Sequence, residues 1–323
     1  MAAKSIDVVA LGEAMLEFNQ TESDEPNYLQ GFGGDTSNAV IAAARAGAQT
    51  AYLSRIGTDA FGDRLLELWA GEGVNTQAVA RDAQAPTGIY FVTHGPKGHE
   101  FSYLRAGSAA SLMNPKWLLE GPSAPMIADA KYLHVSGISL AISVGAFETS
   151  LAAMQLARQS GTQVSFDSNL RLKLWPLERA RECTLQAIAL CDVFLPSLED
   201  IRTLTGLTDP DAIADWSHAQ GAISVVLKLG DQGVLVSASG QRARIAAHRV
   251  TLVDATGAGD CFCGNLLARL AAGSPVLEAA RYANAAAALA VQGFGAVAPL
   301  PRADQVHQFL QLMHQSAGQK LPP

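Results

Sequence analysis

Charge is scarce in this chain. Asp, Glu, Lys and Arg make up only 16% of its 323 residues, and 30 acids against 23 bases leave a formal net charge of -7. No basic run offsets that balance, which argues against nucleic acid as a partner. Cysteine is also rare: Cys183, Cys191, Cys261 and Cys263 show no zinc-type spacing and are too few for a disulfide scaffold. No uninterrupted apolar run reaches membrane-spanning length, and Met1 to Asp7 lacks the apolar core of a secretory signal. These absences predict a soluble, cytoplasmic protein without a membrane partner. Internal repeats, low-complexity tracts and linkers are absent too.

What is plentiful is apolar side chain. At 49% hydrophobic, the chain has ample material for a large core and is not disordered. The pattern is continuous over residues 1–323 and fits one large α/β domain with an accessory element. Ile6 to Leu11 reads as a buried strand ending at Gly12, and Glu13 to Phe18 as a weakly alternating continuation. Asn19 to Asn27 is polar and reads as a loop. Gly31 to Gly34 then places three glycines before Asp35-Thr36-Ser37-Asn38, with Asp35 or Thr36 the expected N-cap of a helix running to Ala46. Thr50 to Ile56 follows as a strand and Ala60 to Glu72 as a helix.

Gly88 to Thr93, a turn at His94-Gly95-Pro96-Lys97-Gly98, and Glu100 to Leu104 form the clearest hairpin. It carries Tyr90, Tyr103 and Arg105, and the last two, being two residues apart, share a face. An aromatic platform beside a guanidinium suits a sugar acid. From Tyr132 onward strands and helices alternate: strands at 132–136, 163–167, 193–195 and 224–229, helices at 144–159, 177–190 and 277–291. Such alternation implies parallel strands with ligands at their C-terminal ends. Asp167-Ser168-Asn169-Leu170-Arg171 falls at one of these ends. Asn169 and Arg171 are candidates for a sugar or a phosphate, and Asp167 is equally a ligand group or a cap.

The richest stretch is Asp254-Ala255-Thr256-Gly257-Ala258-Gly259-Asp260, followed by the apolar run Cys261 to Leu270. The turn at Gly257, Ala258 and Gly259 has almost no side-chain bulk, so its backbone N–H groups can converge on an anion, and the following helix adds its own free N–H groups and positive dipole end. Asp260 at the rim of such a site is suited to meet a hydroxyl proton. An anion hole beside a base is a kinase arrangement.

This motif with Gly264, together with Gly33-Gly34-Asp35-Thr36-Ser37-Asn38, resembles the two signatures of the ribokinase, or PfkB, family of carbohydrate kinases. The resemblance covers essentially the whole chain. Ala255 departs from the usual Thr, Ser or Pro, and Asn265 from a small residue. The stretch Tyr103 to Ser111, with Gly12-Glu13-Ala14 and Ser136 to Ala141, resembles more specifically the branch acting on 2-keto-3-deoxygluconate. The resemblance implies a ribokinase-like three-layer α/β sandwich with a mostly parallel central sheet. It also implies a small β lid built from about residues 13–34 and 87–111 that often makes a homo-oligomer contact.

The same resemblance assigns residues. Asp260 becomes the catalytic base, and Gly257, Ala258 and Gly259 the anion hole. Gly33, Gly34, Asn38, Tyr90, Tyr103, Arg105, Asn169 and Arg171 contact the sugar acid, Arg105 clamping its carboxylate through paired charge-assisted hydrogen bonds. Asn169, Ser197, Lys228, Gly230, Gly233, Thr256, Gly257, Gly259 and Asn284 line the ATP site. Pro196-Ser197-Leu198-Glu199-Asp200 occupies the place of the family's Asn-x-x-Glu motif, so Glu199 and Asp200 are candidates to organise Mg2+ through water; the acids equally suit a helix N-terminus. Family members often bind a monovalent cation such as K+ near the positions of Asp254 and Thr256, a point that stays open here. Rivals to the sugar-acid reading are a kinase of a neutral sugar or nucleoside, and a non-catalytic nucleotide- or sugar-binding protein.

Overall fold

The protein is described by a computed structural model covering residues 4–22, 25–95 and 98–318. Pro96 and Lys97 of the expected hairpin turn lie outside the described residues. The strands are β1 (Ile6–Leu11), β2 (Met15–Gln20), β3 (Tyr28–Gly33), β4 (Thr50–Gly57), β5 (Val79–Asp82), β6 (Ile89–Gly95), β7 (Gly98–Leu104), β8 (Ala130–Ser136), β9 (Gln163–Asp167), β10 (Val193–Leu195), β11 (Ser224–Lys228), β12 (Val234–Ala238) and β13 (Gln241–Ile245). Nine of them form one sheet in the order β13-β12-β11-β10-β9-β8-β1-β4-β5, and four form a smaller sheet, β3-β2-β6-β7. In the large sheet the pairs from β11 through to β5 are parallel, and β12 and β13 close one edge antiparallel.

Helices cover both faces of the large sheet, and the alternation within single strands shows why. Along β11, Val225 and Leu227 join one apolar cluster while Val226 joins another on the opposite side. In β1, Val9 and Leu11 face the first cluster and Ala10 a different one. A strand buried on both faces reads as a continuous apolar run, and that is how β1 and β11 appear in the sequence. The architecture is the expected three-layer α/β sandwich with a mostly parallel central sheet and a small second sheet. Among the described residues no helix is long and apolar enough to cross a membrane.

Local structure departs from expectation in instructive places. The segment after Asn27 is strand β3, pairing antiparallel with β2 through Met15↔Gly33 to Gln20↔Tyr28. Its glycines and polar residues disguise it, because its partners are in the small sheet and not in the core. β2 starts later than expected, at Met15, and runs on to Gln20, so Asn19 and Gln20 of the expected loop are strand. The helix Asp35–Arg45 is capped by the backbone of Gly34, at φ 118°, and neither Asp35 nor Thr36 serves as its N-cap. Asp35 is thereby turned into the cavity below. The hairpin β12–β13 and the short β5 were not anticipated.

Candidate active site

Parallel strands deliver their carboxyl ends to one rim. β1 ends at Leu11, β9 at Asp167, β10 at Leu195 and β11 at Lys228, all beside a cavity of 1170 Å³ that reaches up to the smaller sheet. Asp260 lines it. The helix carrying Asp260, Ala258–Ala271, starts at Gly257 in the left-handed conformation, φ 73°. A Cβ at Gly257 would lie 3.0 Å from the backbone of Ala296, so only glycine fits the turn. Gly259 faces the cavity as well, where an added Cβ would come 3.6 Å from Lys228 Nζ. The N–H groups of Gly257 and Gly259 and the positive helix end therefore open onto the cavity, whereas the Ala258 N–H, expected in the anion hole, is spent on Ala255 O at 3.1 Å.

Gly264 joins the two motifs that the sequence keeps far apart. A Cβ there would sit 2.1 Å from Ala39 O, so its absence lets the helix Ala258–Ala271 lie directly against the helix Asp35–Arg45. Asn38 Nδ2 then donates to Asp260 Oδ2 at 2.8 Å. Burial, followed by the nearby Asp35 carboxylate, pushes the Asp260 carboxyl up to about 7, against the pull of the Asn38 amide and Lys228. A carboxyl titrating there exchanges a proton in the neutral range.

Below Asp260, Lys228 Nζ donates to both carboxylate oxygens of Asp167 at 2.8 Å. Burial pulls the lysine down, yet Asp167 with Cys263 and Asp200 outweighs it and holds the ammonium above its usual range. The Cys263 thiol donates to Asp167 at 3.3 Å. Asp167 is thus an ion-pair partner and not a helix cap. Asn169, at the strained φ of 26°, donates from Nδ2 to Asp35 Oδ2 at 2.7 Å. Burial raises the Asp35 carboxyl too. At the next strand end, Ser197 caps its helix by accepting from Asp200 N, while Ser168 Oγ donates to Asp200 Oδ2 at 2.6 Å. Burial raises Asp200, and Glu199 beside it lies on the cavity wall.

The roof is the smaller sheet. Tyr90 and Tyr103, paired across β6 and β7, stack at 5.5 Å between centroids, and the Arg105 guanidinium lies 5.8 Å from the Tyr103 ring. Arg105 is ion-paired with buried Glu13, which also accepts from Ser108 Oγ at 2.7 Å. Arg105 Nε is buried without a hydrogen-bond partner.

Nearly all the residues read from the sequence meet here. Gly33, Gly34, Asn38, Tyr90, Tyr103, Arg105, Asn169, Arg171, Ser197, Glu199, Asp200, Lys228, Gly230, Thr256, Gly257, Gly259 and Asp260 line the one cavity. Ala258, Gly233 and Asn284 do not. Gly233 instead lets its backbone pack against Ile245, whose carbonyl oxygen an added Cβ would meet at 2.0 Å, and Asn284 Nδ2 donates to Ala246 O at 2.9 Å. Glu13, Asp35, Lys173 and Arg202 also line the cavity, although the sequence reading assigns none of them to the site. Arg171, Lys173, Arg202 and Lys228 supply the local positive charge that a chain of net -7 needs near anionic substrates. Asp35 was legible in principle, as an acid directly after a glycine pair.

A buried carboxyl at a helix N-terminus, with cations and an aromatic roof around the same cavity, suits the transfer of a phosphoryl group to an alcohol. Comparison with known proteins agrees. The model of the "pfkB family carbohydrate kinase" matches residues 5–303. The chain is 33% identical over 312 residues to a 2-dehydro-3-deoxygluconokinase of Thermoproteus tenax, covering 93% of this chain and 94% of that one. It is 32% identical over 320 residues to probable fructokinase-4 of Arabidopsis thaliana, covering 94% and 96%. The crystal structure of a PfkB protein from Polaromonas sp. JS666 superimposes with a TM-score of 0.84 at 32% identity, over 94% of this chain and 99% of that one. The chain belongs to the PfkB family of carbohydrate kinases.

Proposed function

We propose that this kinase transfers the γ-phosphoryl group of ATP to the terminal primary hydroxyl of 2-keto-3-deoxygluconate. The observation that carries the acid substrate is Arg105, a guanidinium at the sugar end of the cavity with Nε buried and unpartnered beside two tyrosines. Glu13 holds one edge of it and leaves a donor edge for a carboxylate. Asp260 accepts the hydroxyl proton, Asn38 fixes its carboxylate, and the N–H groups at Gly257 and Gly259 receive the charge that builds on the transferring group. Arg171, Lys173 and Lys228 attract and orient the polyphosphate.

Glu199 and Asp200 fit magnesium as water-mediated oxygen donors, since this ion is ordinarily held by few carboxylates and by substrate phosphates. When bound, it would neutralise phosphate charge. The smaller sheet serves as the lid over the sugar, from about residues 13–34 and 87–111. Exposed Leu29 and Leu104 on that sheet support a homo-oligomer contact, and reduced, buried cysteines suit work in the cytoplasm.

A second reading has its own observation. Because Glu13 neutralises Arg105, the sugar end also suits a neutral ketose, and the fructokinase relative is as similar as the sugar-acid one. Magnesium- and ATP-dependent turnover of 2-keto-3-deoxygluconate, fructose, ribose and adenosine in one panel decides. Preference for the keto acid supports the proposal; preference for fructose or another neutral compound replaces the substrate and keeps the kinase.

A further inference from the structure

Glu17 is a carboxylate that the transfer chemistry does not use, yet it is 6% exposed in a sheet of only four strands. It stands opposite Tyr90 in the β2–β6 pairing, and Tyr90 Oη donates its hydroxyl proton to Glu17 Oε2. The other carboxylate oxygen accepts from Asn19 Nδ2 at 3.5 Å. Tyr90 is itself 6% exposed, and its ring lines the cavity where Gly33 leaves it room: a Cβ at Gly33 would fall 2.4 Å from Tyr90 Oη. Burying a carboxylate in a thin sheet is costly unless something is gained by it.

A phenol has one proton to give. Once that proton is committed to Glu17, the oxygen can only accept. Burial, and then Glu17, push the Tyr90 phenol well above its usual range, so the proton stays on the oxygen at any working pH. Asn38 contributes a further acceptor: one of its two Nδ2 hydrogens holds Asp260, and its Oδ1 is buried with no partner. The opposite polarity is found only a short way along the roof, where Arg105 offers donors alone. A ligand spanning the two must present a hydroxyl donor toward Tyr90 and an acceptor toward Arg105.

We infer that Glu17 is a positioning residue: by taking the single hydroxyl proton of Tyr90 it makes the phenol oxygen an obligate acceptor, so this wall selects a substrate hydroxyl that donates. The inference rests on the sugar end of the cavity being where the carbohydrate binds, not on which carbohydrate it is. It assigns to the smaller sheet a reading of hydroxyl direction as well as of shape, and it gives a reason for a carboxylate at a place where packing alone would choose an aliphatic residue.

The test uses monodeoxyfluoro analogues of whichever sugar the substrate panel turns over, because fluorine can weakly accept but cannot donate. In the wild-type enzyme one hydroxyl position is expected at which fluorine raises KM about tenfold while an amino group, which donates, is tolerated. That fluorine penalty should vanish in Tyr90→Phe and shrink to about threefold or less in Glu17→Met, where the phenol regains a proton to give, with KM for ATP unchanged in both. A penalty in Glu17→Met equal to that of the wild type would overturn the inference, as would one that survives in Tyr90→Phe. The wild-type enzyme alone is decisive even where a variant does not fold: fluorine tolerated at every hydroxyl would refute an acceptor-only wall. A neutral sugar as the substrate would discard the acid reading and leave this test intact.

Discussion

Asn38 Nδ2 and Asp260 Oδ2 are 2.8 Å apart although 222 residues separate them in the chain. The contact exists because Gly264 lets two helices touch, and it lowers the basicity that burial and Asp35 give the Asp260 carboxyl. An amide donor favours the ionised carboxylate, while burial and Asp35 favour the neutral acid, and the balance rests at about 7. The base must be ionised to accept a proton, so kcat/KM should rise with pH and level off above about 7. Removing the donor in Asn38→Ala takes away a stabiliser of the charged form. The acid limb should then move up by about one pH unit. A limb that stays put or moves down would show that Asn38 does not tune Asp260.

Asp260→Asn keeps the size and burial of the side chain and removes its ability to take a proton. General-base magnitudes give a kcat lower by about 10² to 10⁴, or roughly 3 to 5 kcal/mol of barrier. Circular dichroism should report an unchanged fold. A folded variant with near-normal kcat would remove Asp260 from the mechanism.

The same substitution has an opposite effect on stability. In the unfolded chain the carboxyl titrates near 3.8, in the folded chain near 7, so between these values the folded state binds the extra proton. Its favourable contribution is fully present below 3.8 and is lost as pH rises to 7. Above that, folding must hold a poorly solvated anion. Asp260→Asn should therefore melt at a higher temperature than the wild type at pH 8, with the difference fading by pH 4. Equal shifts at both pH values would mean that the gain is not electrostatic.

How much of this was readable in the sequence differs by element. β1 and β11 are buried on both faces and announce themselves as apolar runs, and the motif from Asp254 to Asp260 carries its turn chemistry in its glycines. β3 does not, since Tyr28 to Gly33 is the largely exposed edge strand of the smaller sheet, where glycine and glutamine serve as well as valine. The cap of the helix Asp35–Arg45 was misread because a side-chain cap is the common solution, whereas Gly34 turns the chain at φ 118° without one. Glu13 and Glu17 were invisible as partners. Their roles depend on Arg105 and Tyr90 lying across a sheet whose register no local pattern specifies.

Arg105 supplies a direct check on the substrate's charge. Arg105→Ala should raise KM for a sugar acid by about 10- to 150-fold, the range for a hydrogen bond to a charged group, and leave KM for ATP unchanged. The variant also leaves Glu13 buried without its cation, and burial already raises that carboxyl, so the protein should lose stability as pH increases. Kinetics are therefore best compared at a temperature well below melting. An equal rise in KM for a neutral sugar would refute the carboxylate role.

Lys228 and Asp167 form an ion pair in the floor of the cavity, and their value lies in what surrounds them. Asp35, Asp200 and Asp260 crowd the same space, and each raises or is raised by its neighbours' charge. Lys228 is the cation that makes this cluster tolerable, and its ammonium lowers the Asp260 carboxyl. Lys228→Met strands Asp167 as an unpaired buried charge, so stability should drop by about 3 to 5 kcal/mol. The acid limb of kcat/KM should shift upward in the same variant. Adding Asp167→Asn removes the stranded charge: melting temperature should largely recover, while the lost attraction for polyphosphate persists as a raised KM for ATP. If the double variant melts no higher than Lys228→Met alone, packing of the lysine stem and not charge pairing is what holds the floor together.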